Sequence, residues 1–285
     1  MNISIIIVNY NTKDLLRNCL DSIYRHSRDI GFEVIVSDNG SLDGSVEMIK
    51  ESFPGVKIIE NRKNIGFGAA NNRGLDSASG NYVFYLNSDT VLLNNAIKFF
   101  FEFWENYHDR DHLGALGCVL LNSRGLPTHS WGGFSSATRE LREKLPGARR
   151  SRPAPVVPPL EVDYIAGAAL FLKNDGFARF DERFFLYFED SDLQLRLAGA
   201  GKKRIIIDKP RIIHLEGASN SPSAMPAFEG SFSRIQFAIS KIKYYRKKKD
   251  NPLCIFILKM LILVKWLNPL LLRNTSKYFK QLLLA

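Results

Sequence analysis

The sequence predicts an α/β fold, a mostly parallel central sheet with helices on both faces, followed by an amphipathic helical tail. Two observations carry the first part. As far as Tyr107, short β-like runs alternate with helix-like stretches, the pattern of βαβ units feeding a parallel sheet. The runs are apolar almost without a break, as strands covered on both faces must be. A third observation sets the tail apart: it holds all of the net charge.

In chain order, Ile3–Val8 reads as the first strand, with a single serine among six residues. Lys13–Ser27 is the helix that returns from it. Glu33–Ser37 and Gly44–Ser52 form the next strand and helix, then Val56–Glu60 and Phe67–Ala78, then Tyr82–Leu86 and Asn94–Tyr107. Leu145–Leu160, LPGARRSRPAPVVPPL, is rich in Pro and Arg and is expected to be a flexible or partly extended loop over a site or between subdomains. Beyond it come a strand-like run Tyr164–Leu172, an acidic loop leading into a helix from about Ser191, a strand at Arg204–Ile207 and a turn with His214. There is no internal repeat.

Composition narrows the class. With 285 residues, 45% hydrophobic and 24% charged, the chain has ordinary globular make-up and length enough for a sizeable core. Its three cysteines, Cys19, Cys118 and Cys254, lie far apart, which argues against a disulfide framework or a zinc site and for a reducing compartment. Ile3–Val8 is too short for the apolar core of a signal peptide and has no basic residue before it, so a cytoplasmic location is expected. Residues 1–240 hold 28 basic and 28 acidic residues, whereas 241–285 hold 11 Lys/Arg and one acid. A nucleic-acid enzyme carries its basic surface on the folded domain. Here that domain is neutral, so no nucleic-acid partner is expected.

Each early strand ends in polar residues: Asn9-Tyr10-Asn11, Asp38-Asn39-Gly40-Ser41, Asn64-Ile65-Gly66-Phe67 and Asn87-Ser88-Asp89. Singly, each is only a turn, since Asn, Asp, Ser and Gly all favour turns. Four at the carboxyl edge of one parallel sheet outline a shared crevice, where open α/β sheets bind ligands. The first strand is not followed by G-x-G-x-x-G, and G-x-x-x-x-G-K-[ST] is absent, which excludes the usual dinucleotide and P-loop sites.

VNYNTKDLLRNCLDSI, VSDNGSLDGS, NIGFGAANNRGL, YLNSD, GAALFLK, FFLYFEDSDLQLR and HLEGAS follow in this order over residues 1 to about 219. In them the chain resembles glycosyltransferase family 2, with its GT-A nucleotide-diphospho-sugar transferase fold, and within it the rhamnosyltransferase-like enzymes of bacterial surface-polysaccharide synthesis. The resemblance implies inverting transfer of a sugar, rhamnose from dTDP-rhamnose, onto a hydroxyl of a glycan or lipid-linked glycan acceptor. The same chemistry with a UDP- or GDP-sugar is the alternative. Asn9 and Tyr10 would flank the base and Asp38 would accept from base or ribose, supported by Asn39 and Asn64; an Asx turn before Gly40 is the other use for Asp38. Asp89 would hold Mn²⁺ or Mg²⁺ against the diphosphate, with Asn87 standing where the family usually has the first Asp of Asp-x-Asp, Ser88 between them, and His214 completing the shell.

The family pattern places the general base at Asp190, with Glu189 orienting the site and Arg196 holding these carboxylates or a donor phosphate. Acids at a helix N-terminus, favoured by the macrodipole, are the plain alternative, and they explain Asp192 well. Trp131, Tyr164 and Phe188 would exclude water from the donor or simply pack. The boundary is expected near 219, with 220–285 an extension. In it, Lys241–Lys249 carries six basic residues and Leu253–Leu272 is apolar at 16 of 20 positions, interrupted by Lys259, Lys265 and Asn268-Pro269. That pattern suits a helix lying on an anionic membrane surface, peripheral on the inner face, rather than a spanning one. The other reading is a helix packed on the catalytic domain or on a second copy in a homodimer. Asn87 also leaves open a catalytically idle sugar-nucleotide or glycan binding protein at the membrane.

Overall fold

The sheet is built outward from β1 (Ile3–Asn9), whose side chains alternate: Ile3, Ile5 and Ile7 enter one apolar cluster and Ile6 the other. The computed structural model describes residues 2–145, 157–215, 227–266 and 281–285. After β1 come α1 (Lys13–His26), β2 (Phe32–Asp38), α2 (Ser45–Ser52), β3 (Lys57–Glu60), α3 (Phe67–Asp76) and β4 (Tyr82–Asn87). They are followed by β5 (Thr90–Leu92), α4 (Ala96–Asn106), β6 (Leu113–Leu121), β7 (Trp131–Gly132) and α5 (Ala137–Glu143). Then come β8 (Leu160–Glu161), β9 (Tyr164–Ile165), β10 (Ala169–Lys173), α6 (Glu189–Gly199), β11 (Lys203–His214), α7 (Ala227–Lys247) and α8 (Pro252–Trp266).

The main sheet runs β3-β2-β1-β4-β10-β6-β11-β5, with β8 also on β11, and β7 and β9 form a small ladder of their own. β1 to β4, β6 and β11 run one way; β5, β8 and β10 run the other. The carboxyl ends of β1 to β4 and of β11 therefore meet at one edge, which is also where β10 begins. α1, α2 and α4 cover one face through Leu16, Met48 and Phe100; α6 covers the other through Leu193 and Leu197. On the first face Phe171 stacks between Tyr82 at 5.4 Å and Phe100 at 5.6 Å. Removing one such ring costs about 3–5 kcal/mol.

Two expectations change. Tyr164–Leu172 is two strands, β9 and β10, separated by Ala166–Ala168. β11 does not stop at Ile207 but continues to His214, so His214 lies in a strand. Its register on β6 slips between Ile207 and Ile212, where Pro210 has no N–H to give and a bulge absorbs the mismatch. Of the Pro/Arg-rich loop, residues 146–156 lie outside the described residues, and Leu160 and Glu161 pair with β11.

The expected boundary near 219 also lies outside the described residues. Beyond it, α7 buries Ile239, Ile242, Tyr244 and Tyr245 against Phe184, Phe188 and Ala137, so this part of the extension is packed on the catalytic domain. The basic cluster is spent in the same way. Lys241 bonds Glu140 at 2.8 Å, Lys247 bonds both Asp181 and Asp192 at 2.6 Å, and Lys243 donates to the Arg183 carbonyl. α8 differs: it buries Ile255 and Leu258 but exposes Leu253, Phe256, Ile257, Met260, Leu261 and Val264. Among the described residues no helix is long and apolar enough to cross a membrane.

Candidate active site

At the carboxyl ends of β1 and β2, two turns brace each other. Asn9, wholly buried, donates to Asp38 Oδ2 at 2.8 Å and to Ser41 Oγ at 3.0 Å. Asp38 Oδ1 accepts from the Gly40 and Ser41 N–H groups at 3.0 and 2.8 Å, an Asx turn in which Gly40 takes φ +78°. Asn9 thus has no surface with which to flank a base, which corrects that expectation; Tyr10 beside it is partly exposed at the rim. Asn39 donates to Asn64 Oδ1 at 3.3 Å and to the Gly66 carbonyl, and accepts from Asn61. These asparagines fix the loops between β2 and β3 and before α3. Asn61 was not singled out in the sequence, although its type and place match the others.

The turn after β4 brings three expected residues together. His214, at the end of β11, pairs with Thr90 of β5, which sets its ring beside the turn. Its Nε2 lies 3.3 Å from Asp89 Oδ1 and 3.4 Å from Asn87 Nδ2. Asp89 is 3% exposed, and Ser88 Oγ meets Thr12 Oγ1 at 3.0 Å. Asn87 Oδ1 is buried with no hydrogen-bond partner, an acceptor held without a donor at a cost of about 1–3 kcal/mol. A cation would satisfy it. Among the described residues no third His, Cys, Asp or Glu joins Asp89 and His214, so the donor set is one carboxylate, one imidazole and one amide oxygen, a set that fits Mn²⁺ or Mg²⁺.

Asp190 stands in the first turn of α6. Tyr187 and Phe188, at φ +69° and +67°, turn the chain sharply into that helix, a backbone cost typical of functional sites. Asp190 Oδ2 accepts from the Tyr164 hydroxyl at 2.9 Å and the Gly167 N–H at 3.1 Å, and Oδ1 accepts from the Ser191 N–H at 2.7 Å. Burial pushes its carboxyl above the usual range, and these three donors oppose the shift. Glu189, 5% exposed with Oε2 unbonded, is pushed up strongly by burial and by the neighbouring Asp190 charge. A Cβ on Gly167 would stand 2.8 Å from Asp190 Oδ2, so this close approach needs glycine. A cavity of about 280 Å³ opens beside the two acids, with His129, Phe134, Tyr187 and Phe237 in its wall.

The two halves of the site are linked through two adjacent residues, Gly167 and Ala168. The Asn87 N–H donates to the Ala168 carbonyl at 3.0 Å, and the preceding residue, Gly167, donates to Asp190. Other residues turn away. Arg196 bonds Asp192 at 3.3 Å and the Arg179 carbonyl rather than Glu189 or Asp190, because it lies one and a half turns along α6 from Asp190. Gln194, not expected from the sequence, exchanges two 2.7 Å bonds with the Ile165 backbone and clamps α6 to β9. Phe188 packs with Tyr244 of α7.

The sequence profile described as Glycosyl transferase family 2 matches residues 4–159. An N-acetylglucosaminyl-diphospho-decaprenol L-rhamnosyltransferase of Mycobacterium tuberculosis is 27% identical over 203 residues, covering 64% of this chain and 66% of that protein. A poly(ribitol-phosphate) beta-glucosyltransferase of Bacillus spizizenii is 32% identical over 132 residues, covering 45% of this chain and 20% of its own. The chain therefore spans less than two thirds of either relative. Among solved structures, a Pyrobaculum calidifontis mannosyltransferase with GDP-Man and Mn²⁺ aligns with TM-score 0.57 and 17% identity, over 97% of this chain and 73% of that one. S. aureus TarS residues 1–349 with UDP aligns with TM-score 0.54 and 16% identity, over 84% of this chain and 65% of that one. These neighbours show the GT-A fold. With more than half of its length matched by the family profile, the chain belongs to glycosyltransferase family 2.

Proposed function

We propose that this chain moves a sugar, with inversion, from a nucleoside diphosphate to a hydroxyl of a glycan or lipid-linked glycan in surface-glycan synthesis. The observation that carries the reading is the pair of adjacent residues Gly167 and Ala168, whose N–H and carbonyl bond Asp190 and Asn87 respectively and so tie the Asn87/Asp89/His214 group to the Asp190 carboxylate. Asp89, His214 and the Asn87 amide oxygen would hold a divalent cation, which when bound supplies charge neutralisation for the departing diphosphate. Asp190 takes the proton of the acceptor hydroxyl. The freed oxygen pair forms the new bond to the anomeric carbon as the bond to the diphosphate breaks on the opposite side. Tyr164, Gly167 and Ser191 hold the carboxylate in the geometry that this transfer needs.

We favour rhamnose from dTDP-rhamnose as donor; the mycobacterial relative's name supports the sugar. A UDP- or GDP-sugar is the second reading, supported by the ligands of the solved neighbours. A thermal-shift panel of nucleotide sugars with and without Mn²⁺ tests both: saturation at 100 times Kd stabilises by about 2.7 kcal/mol. No stabilisation by any of them contradicts the proposal.

We place the protein on the cytoplasmic membrane face, held by α8. The support is its row of exposed Leu, Ile, Phe and Met side chains, which a water-facing helix does not carry and an interfacial one does. The lysines Lys241 and Lys247, committed to Glu140, Asp181 and Asp192, contribute little to this attachment. Pelleting with vesicles, and its loss on removing residues 252–285, is the check.

A further inference from the structure

A second cavity, of about 520 Å³, lies beside the one at Asp190 and shares Gly132 and Gly133 with it. Its volume is within the range of small-molecule sites. Trp131, Glu161, Asp163 and Arg204 supply its chemistry. We infer that it is a saccharide subsite for the unit next to the one being glycosylated, so the acceptor presents an uncharged segment of at least two sugars. The inference rests on reading the Asp190 cavity as the acceptor site.

The lining decides the ligand class. An indole presents a flat face of negative potential, which attracts the partly positive C–H bonds of a pyranose ring. Trp131 lines the cavity, partly buried against Val162 and Ile165, and pairs with Ile165 in the β7–β9 ladder. Asp163 and Glu161 are exposed carboxylates that accept from sugar hydroxyls. Arg204 is only 7% exposed, and its guanidinium is already committed: Nε donates to the Asp163 carbonyl at 3.2 Å and Nη1 to the Lys202 carbonyl at 2.5 Å. It also lies 5.7 Å from the Phe134 ring centroid, and Phe134 is in the wall of the first cavity, so the two cavities share a fixed partition. Among the described residues two other cations are near: Arg139, whose Nη1 would lie 3.4 Å from a Cβ on Gly133, and Lys203, which acts on Glu161 and is bonded to Asp109 at 2.9 Å. Among the described residues, two carboxylates face three cations, of which Arg204 and Lys203 are already bonded, so little positive potential is left with which to draw a diphosphate. A neutral sugar fits this balance.

The test uses the full chain with UDP or dTDP bound and neutral p-nitrophenyl glycosides as probes: gluco, galacto, manno, rhamno and N-acetylglucosamine termini, each as a monosaccharide and as a matched disaccharide. Saturation-transfer NMR titrations read the affinities. At least one disaccharide is expected to bind about tenfold or more tighter than its monosaccharide. Trp131→Ala should erase that gain, and the isosteric pair Glu161→Gln and Asp163→Asn should reduce it while keeping the fold. The inference is overturned if no disaccharide exceeds its monosaccharide, or if the gain survives all three changes. It is equally overturned if a monosaccharide 1-diphosphate ester gains as much and loses it with Trp131→Ala. Nucleotide binding separates the two claims, because its absence in the unaltered chain contradicts the transferase reading and the glycan titrations alone decide the subsite.

Discussion

Tyr164→Phe removes one oxygen and keeps the ring, so it isolates the 2.9 Å bond from the Tyr164 hydroxyl to Asp190 Oδ2. That bond favours the ionised carboxylate, and burial favours the neutral one. A hydrogen bond to a charged group contributes about 1.5–3 kcal/mol, and one pKa unit corresponds to about 1.36 kcal/mol. Losing it should therefore raise the Asp190 pKa further. A base works only when deprotonated, so turnover climbs with pH through this pKa, and the acid limb of the kcat profile should move to higher pH, lowering kcat at a fixed pH on that limb by about tenfold or more. Above the new midpoint most of the rate should return. A midpoint that stays in place, or moves to lower pH, refutes the idea that Tyr164 tunes the base.

Further outcomes follow from the same geometry. Gly167→Ala places a methyl group 2.8 Å from Asp190 Oδ2, so turnover should fall by about tenfold or more with nucleotide affinity unchanged, as read by kcat and calorimetry. Asp89→Ala should abolish metal-dependent binding of the nucleoside diphosphate, and Asn87→Asp should tighten Mn²⁺ by supplying a second anionic oxygen; calorimetry on the three proteins compares them. Lys247→Met removes the 2.6 Å cation from Asp192, 1% exposed, and leaves it only Arg196 at 3.3 Å among the described partners. Because Lys247 keeps 29% of its side-chain surface in water, the loss should be about 2–3 kcal/mol, below the usual range for a broken buried pair, and should appear as a Tm lower by several degrees. Removing residues 252–285 should leave nucleotide binding intact and abolish vesicle pelleting.

The first half of the fold was legible because β1 to β4 are apolar on both faces and each ends in Asn, Asp or Gly. The alternation alone then places four turns on one edge. Asp89, His214 and Asp190 were singled out through the motifs, and the structure brings the first two within 3.3 Å. What the sequence did not show is which polar groups are consumed by the scaffold. Asn9 and Asp38 look like ligand-binding residues and spend their hydrogen bonds on each other, a matter of burial that no local pattern records. Arg196 looked like a partner for the acids ahead of it on the helix, and the i,i+4 spacing chose Asp192. The lysines of KIKYYRKKK read as a surface patch because sequence separation hides Glu140, Asp181 and Asp192, which neutralise two of them. Gln194 and Gly167 carry no chemical signal by type, and their roles arise only where α6 meets the β9–β10 corner.

The central claim is that Asp190 is the base, and Asp190→Asn addresses it with almost no change in shape. Turnover with the donor identified by the thermal-shift panel is measured beside calorimetric donor affinity for both proteins. The account expects kcat to fall by about 10²-fold or more, with donor Kd unchanged within about twofold. Turnover near that of the unaltered chain, with donor still bound, would contradict it.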